Sequence, residues 1–188
     1  MGLFDWLRGT PEPRDPWLRT DRTPCDHHFG PGRMLACHRY LRGNSIVSAP
    51  TFDAVRSWLA GCTYVTDEEH FGAPDYWQHP SEFERVRRGD CEDFALWGWR
   101  KLVEMGYDAF LVVGFWNPPD GTPCQHAWVL IKTGSGDFVL EGTAHHDAML
   151  QPLETARAHY HPEVGIDRQG VAFTFQGGVR PCCGRSRA

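Results

Sequence analysis

The chain reads as a single α+β domain in which one central helix packs on an antiparallel sheet. Three observations predict this. A helical segment from Cys91 to Met105 has a capping residue in front of it and a glycine behind it. Apolar runs at 109–116, 126–133 and 138–141 follow it with the length and composition of strands. Stretches such as Asn117-Pro118-Pro119-Asp120-Gly121 and Gly134-Ser135-Gly136 separate those runs as loops and turns do.

At 188 residues the chain suits one domain, or one domain with an arm, and is long enough to bury a sizeable core. Its 41% hydrophobic and 23% charged residues are ordinary for a globular protein. A formal charge of −5, with no Lys/Arg stripe interleaved with aromatics, excludes nucleic acid as the expected partner. No run approaches the roughly 20 apolar residues of a membrane span. The seven cysteines at 25, 37, 62, 91, 124, 182 and 183 are odd in number and form no regular framework, which argues against a disulfide-stapled secreted domain. The first residues, Met1 to Gly9, lack the long apolar run of a signal peptide. A cytoplasmic location is the expectation.

Residues 1–50 differ from the rest. Pro11, Pro13, Pro16, Pro24 and Pro31 exclude long regular elements, and the local pattern is limited to a short apolar turn at Leu3, Phe4, Trp6 and Leu7. An irregular arm is expected there, the domain over 51–178, and a mobile tail over 179–188. Thr51 can cap a helix over Asp53 to Leu59 that ends at Gly61. Ser81 can cap a second, short helix, followed by a turn at Arg87-Arg88-Gly89. Asp90 is the expected N-cap of the central helix and Gly106 its C′ residue. Positions 91, 94, 95, 98, 102 and 105 form one stripe on it. Gly98 in that stripe costs about 1 kcal/mol of helix propensity relative to Ala, which predicts close packing against it. The first strand, Ala109 to Trp116, is apolar on both faces. His126 to Thr133 and Phe138 to Glu141 are the next two, and Val171 to Phe175 the last.

Chemistry concentrates in this central region. Cys91 lies at the start of a helix, where free N–H groups and the helix dipole favour a thiolate. His126 opens a later strand and can take the thiol proton and return it to a leaving group. A base of this kind needs a third group to hold its tautomer, and Glu141 is the candidate. A hairpin turning on Thr133-Gly134 would set Glu141 opposite His126, whereas a turn centred on Ser135 would offset it by about four residues along the ladder. The sequence leaves both registers open.

The runs Asp75-Tyr76-Trp77-Gln78-His79-Pro80-Ser81-Glu82-Phe83 and Gly89-Asp90-Cys91-Glu92-Asp93-Phe94-Ala95, with His126 and Val139-Leu140-Glu141, carry a resemblance. Over roughly residues 50–145 the chain resembles the bacterial transglutaminase-like cysteine proteinases, a group that includes periplasmic proteases releasing biofilm adhesins. The resemblance implies a papain-like, transglutaminase-like core and a triad of Cys91, His126 and Glu141, where the family usually has Asp as the third member. It implies calcium held by the acidic flank Asp90, Glu92 and Asp93. It also implies an oxyanion donor upstream of the cysteine, at Trp77 or Gln78, beside the Cys91 backbone N–H.

The expected activity is therefore that of a cysteine hydrolase, a peptidase acting on a peptide or protein amide through a thioester. Three alternatives share the scaffold: amide transfer to an amine, action on a small acyl substrate, and a non-catalytic binding module. Other polar clusters read as structure. Cys25, His27, His28, Cys37 and His38 lack a zinc spacing. His145-His146-Asp147 reads as exposed, Cys124 as a neighbouring structural thiol, and Cys182-Cys183 as part of the tail. Trp97, Trp99, Trp116 and Trp128 read as core.

Overall fold

A computed structural model describes residues 15–20, 22–24, 29, 34–119 and 121–178. The tail expected over 179–188 lies outside the described residues, as do Cys25, His27, His28, Cys182 and Cys183.

The first helix, α1, runs over Phe52–Ala60, with Thr51 Oγ1 accepting from the Ala54 N–H at its start and Gly61 closing it. A short strand β2 (Thr63–Tyr64) and helix α2 (Asp67–Phe71) follow. Helix α3 (Pro80–Val86) is capped two residues earlier than the sequence suggested. His79 Nδ1, not Ser81, accepts the first free N–H, because Pro80 has no N–H to satisfy and its fixed φ suits the first helical position. Arg87 then adopts a left-handed φ of 53°, and β3 (Arg88–Gly89) pairs in parallel with β2. The central helix, α4, covers Cys91–Glu104, and Gly106 with φ +88° turns the chain away from it.

The sheet is built from β4 (Asp108–Trp116), β5 (Cys124–Thr133), β6 (Gly136–Leu140), β7 (Leu150–Pro152), β8 (Tyr160–Ile166) and β9 (Ala172–Phe175), with β1 (Arg19–Thr20) at one edge. A short helix α5 (Leu153–Ala156) follows β7. The order is β1-β9-β8-β4-β5-β6-β7, and every pairing in it is antiparallel. The longest of the strands that sequence reading missed, β8, lies beside the central β4. Its Pro162 and Gly165 hide the strand pattern, and the pairing is interrupted by an irregularity at Val113/Gly114. Gly114 is required there, since a Cβ would stand 2.2 Å from the His161 carbonyl oxygen.

Alternate residues of the sheet feed two cores. Val113, Ala127, Val129, Ile131 and Leu140 face α4, while Val112, Trp128, Leu130 and Val139 face the opposite side with Trp17, Tyr160 and Phe175. The expected stripe on α4 meets the sheet. Its other sides are buried too, including Leu96, Trp97, Trp99, Arg100 and Lys101, because α1, α3 and the segment before residue 50 cover them. In its described part that segment carries β1 and a 3₁₀ turn at Cys37–Arg39, with Tyr40 fully buried and Trp17 nearly so.

The polar back of α4 fastens this segment. Arg100 donates to the carbonyls of Arg42 (3.1 Å) and Gly43 (2.6 Å), and Lys101 Nζ donates to that of Val47 (2.8 Å). Lys101 also pairs with buried Glu84 at 3.2 Å. Burial alone would raise the Glu84 pKa, but hydrogen bonds from Ser45, Ile46 and Trp97 and the charge of Lys101 hold it below its ordinary value. Lys101→Met would strand this carboxylate, and we expect a loss of about 3–5 kcal/mol in urea unfolding. The Lys101→Met/Glu84→Gln double variant should recover part of that loss. Since the Glu84 pKa is depressed on folding, its contribution is full above the unfolded value near 4.3 and fades as pH falls through the folded one.

Candidate active site

Cys91 is placed where α4 begins, against the start of β5. Both Cys91 and Ala127 line the same cavity there. Cys91 and His126 line one cavity of about 280 Å³, together with Tyr64, Trp77, Asp90 and Glu92. As a residue Cys91 retains partial exposure, but its sulfur sits deep among protein atoms. Burial, then the charges of Glu92 and Asp90, push its thiol well above the usual range. Burial and these charges outweigh the thiolate-favouring pull expected of the helix start, and the thiol lies 3.4 Å from Glu92 Oε2.

His126 Nε2 lies 2.7 Å from Glu141 Oε2. This leaves Nδ1 as the ring nitrogen for exchange with the thiol. The hairpin turns on Gly134-Ser135, pairing Thr133 with Gly136 and Val129 with Leu140, so neither register considered from sequence applies. Extending the pairing sets Glu141 opposite Trp128, two residues along from His126 and on the same face. Glu is one methylene longer than Asp, and that reach spans the offset diagonally.

Glu141 is fully engaged. Its Oε1 accepts from the Thr143 N–H (3.0 Å) and Oγ1 (2.6 Å), and its Oε2 also accepts from the Tyr160 hydroxyl (3.1 Å). Burial works against its ionised form, but the hydrogen bond and charge of His126 and the bonds from Thr143 hold the pKa below its ordinary value. A buried carboxylate paired in this way fixes the tautomer and orientation of the imidazole. The rings of Trp116, Trp128 and Tyr160 stand 5.9, 6.3 and 6.4 Å from the imidazole and confine it. Sequence reading did not single out Tyr160 or Thr143, because their role depends on the β8 and β6–β7 connections. Trp97, Trp99 and Trp128 are core as expected, whereas Trp116 is partly exposed beside the site.

The two candidate oxyanion donors separate. Trp77 is buried against Tyr40 and lines the cysteine cavity. Gln78 is fully buried, and its amide nitrogen donates to the Arg88 carbonyl (2.9 Å) and to Asp93 Oδ2. Both of its N–H bonds are therefore spent, which removes Gln78 as a donor to substrate.

The acidic flank also rearranges. Asp93 turns inward to accept from the Gln78 N–H at 2.8 Å and leaves the set of candidate metal ligands. Asp90 and Glu92 instead meet Asp67 of α2, with one carboxylate oxygen from each lying within 4.8 Å of the others. Asp90 occupies the N-cap position without a side-chain cap bond, being directed to this cluster instead. Asp67 Oδ1, Asp90 Oδ1 and Glu92 Oε1 are buried with no hydrogen-bond partner among the described residues. Burial first, then neighbouring carboxylates, raise the pKa values of Asp67 and Glu92. Three crowded, unsatisfied hard-oxygen donors are what a bound calcium ion would satisfy. Asp67 escaped notice because Thr66-Asp67-Glu68-Glu69 reads as a helix start with solvated acids. No cluster of metal-binding histidines or cysteines occurs among the described residues.

Comparisons agree with this architecture. Residues 52–160 match the family described as bacterial transglutaminase-like cysteine proteinase BTLCP, Peptidase_C93. Among solved structures, Legionella pneumophila LapG matches with a TM-score of 0.50 at 22% identity, covering 65% of this chain and 66% of that one. Calcium-bound Legionella pneumophila LapG matches with a TM-score of 0.51 at 19% identity, covering 71% of each chain. These likenesses show a papain-like, transglutaminase-like fold. No curated protein matches, and the cytoplasmic location expected from the sequence gains no support from the comparisons. Among the described residues no helix is long and apolar enough to cross a membrane. Because the family match spans more than half of the chain and includes the cysteine, the histidine and the glutamate, this protein belongs to the bacterial transglutaminase-like cysteine proteinases.

Proposed function

We propose that the chain is a cysteine peptidase that cleaves a peptide or protein amide through Cys91, His126 and Glu141. The observation that carries this reading is the 2.7 Å His126–Glu141 contact beside the cavity that holds Cys91. Cys91 Sγ loses its proton to His126 Nδ1 and attacks the amide carbon, and Glu141 stabilises the resulting imidazolium. The oxyanion is held by the Cys91 backbone N–H at the start of α4, with Trp77 as the remaining side-chain candidate. His126 returns the proton to the leaving amine, and a thioester remains on Cys91. Water attacks the thioester with His126 as base and releases the acid.

Calcium is part of the proposal, held by Asp67, Asp90 and Glu92. When bound, it supplies positive charge to three carboxylates that otherwise crowd the nucleophile. The calcium-bound state of a structural relative supports this assignment, as do the unsatisfied oxygens.

Labelling tests the couple. With calcium present and limiting iodoacetamide at pH 6.5, Cys91 should react faster than the exposed Cys124, as read by mass spectrometry. His126→Ala should abolish that advantage and lower kcat on a cleaved peptide by about 10²–10⁴-fold. Equal labelling of both thiols would sink the peptidase reading. Glu141→Asp, a methylene too short for the diagonal contact, should cost about 100-fold in kcat with little change in KM.

Calorimetry tests the metal. Raised pKa values mean that Asp67 and Glu92 hold more protons in the fold than in the unfolded chain, so their own contribution to stability falls as pH rises above about 4. Calcium should therefore raise the Tm more at pH 7.5 than at pH 5.5. At 100-fold excess over Kd the gain is about 2.7 kcal/mol. Asp67→Asn should remove most of the gain, and an unchanged increment would exclude Asp67 as a ligand.

A further inference from the structure

Glutamate has one more rotatable bond than aspartate, so more freedom must be removed before its carboxylate can hold an imidazole in one orientation. The main chain at Glu141 is anchored, its N–H donating to the Met149 carbonyl at 2.7 Å. The side chain is anchored by two later parts of the chain. Thr143 holds one oxygen, its N–H and hydroxyl donating to Oε1 at 3.0 and 2.6 Å. Tyr160, the first residue of β8, holds the other, its hydroxyl donating to Oε2 at 3.1 Å.

Oε2 is also the oxygen that lies 2.7 Å from His126 Nε2. With Thr143 alone, the carboxylate plane could still turn about Oε1 and carry Oε2 off the imidazole. A second hold on Oε2 itself removes that motion. Tyr160 can supply it because the core holds Tyr160 in turn. It is 4% exposed, it pairs with Trp116 of β4, and its ring stands T-shaped against Trp128 at 5.1 Å. Burial, then the charge of Glu141 and the bond to it, push the Tyr160 pKa up, so the hydroxyl keeps its proton and can donate. Tyr160 does not line the cavity that holds Cys91. Any part it has in the reaction therefore runs through Glu141 and His126.

We propose that Tyr160 is a positioning residue of the reaction, whose hydroxyl keeps Glu141 Oε2 on His126 Nε2. The imidazole proton then stays on Nε2, and Nδ1 stays free to take the proton of Cys91. The inference rests on the peptidase reading and explains how a glutamate can serve as the third member of the triad.

Tyr160→Phe keeps the ring and removes only the hydroxyl. In the full chain with calcium it should lower kcat on a cleaved peptide about tenfold and leave KM unchanged. The His126 Nε2 proton gives a reading without turnover. In the wild type it should resonate downfield in the ¹H NMR spectrum, be missing in His126→Ala and exchange slowly with water. In Tyr160→Phe it should exchange faster. A merely structural Tyr160 would lower the Tm and leave both readings as they are. In a folded Tyr160→Phe, an unchanged kcat, a loss carried by KM, or unchanged proton exchange overturns the role and leaves the peptidase standing. Should Tyr160→Phe not fold, the wild-type spectrum decides. Slow exchange there upholds the clamp, and exchange as fast as that of an exposed histidine overturns it. If the wild-type chain cuts no peptide, the peptidase reading and the positioning role fall together.

Discussion

The approach of α4 to the β5–β6 hairpin positions the rest of the site. Gly98 lacks the Cβ that would otherwise come within 2.9 Å of Leu140 Cδ2, so the helix can lie directly on the sheet. With α4 seated there, its first residue reaches the start of β5, and Cys91, His126 and Ala127 line one cavity. The same hairpin carries His126 on one strand and leads into Glu141 at the end of the other. Helix and hairpin are thus one rigid unit, and the site is built at its rim. Burial of α4 on its remaining sides, with Arg100 and Lys101 tying down the segment at 42–47, keeps that unit from shifting.

Two groups of buried carboxylates around this unit are pushed in opposite directions. Glu141 pays a desolvation cost but receives a histidine, a tyrosine hydroxyl and two donors from Thr143, and its pKa falls. Asp67 and Glu92 are buried near other acids and rise. The contrast separates their work. A carboxylate that stays ionised can orient and stabilise an imidazolium, whereas crowded, under-bonded ones call for a cation. Asp93 looks like a member of the second group by sequence. Burial and the nearby charges of Asp90 and Asp67 raise its pKa as well, but its oxygens are used to hold Gln78 and so do not join the cluster.

Local chemistry made much of this protein legible in its sequence. Thr51 and Gly106 bracket helices whatever surrounds them, since caps and left-handed turns depend on a few neighbouring atoms. The apolar runs of β4 to β6 identify strands for the same reason, and the Cys91 block with His126 identifies a thiol hydrolase. Long-range geometry was decided elsewhere. The diagonal His126–Glu141 contact depends on a two-residue turn that other registers could have replaced. Tyr160 and Thr143 reach Glu141 only after β7 and β8 have folded back. Asp67 joins Asp90 and Glu92 because α2 folds across the start of α4. The sequence by itself determined which residues could do chemistry, and tertiary packing decided which of them meet, because side-chain reach is a few ångströms while the residues lie tens of positions apart.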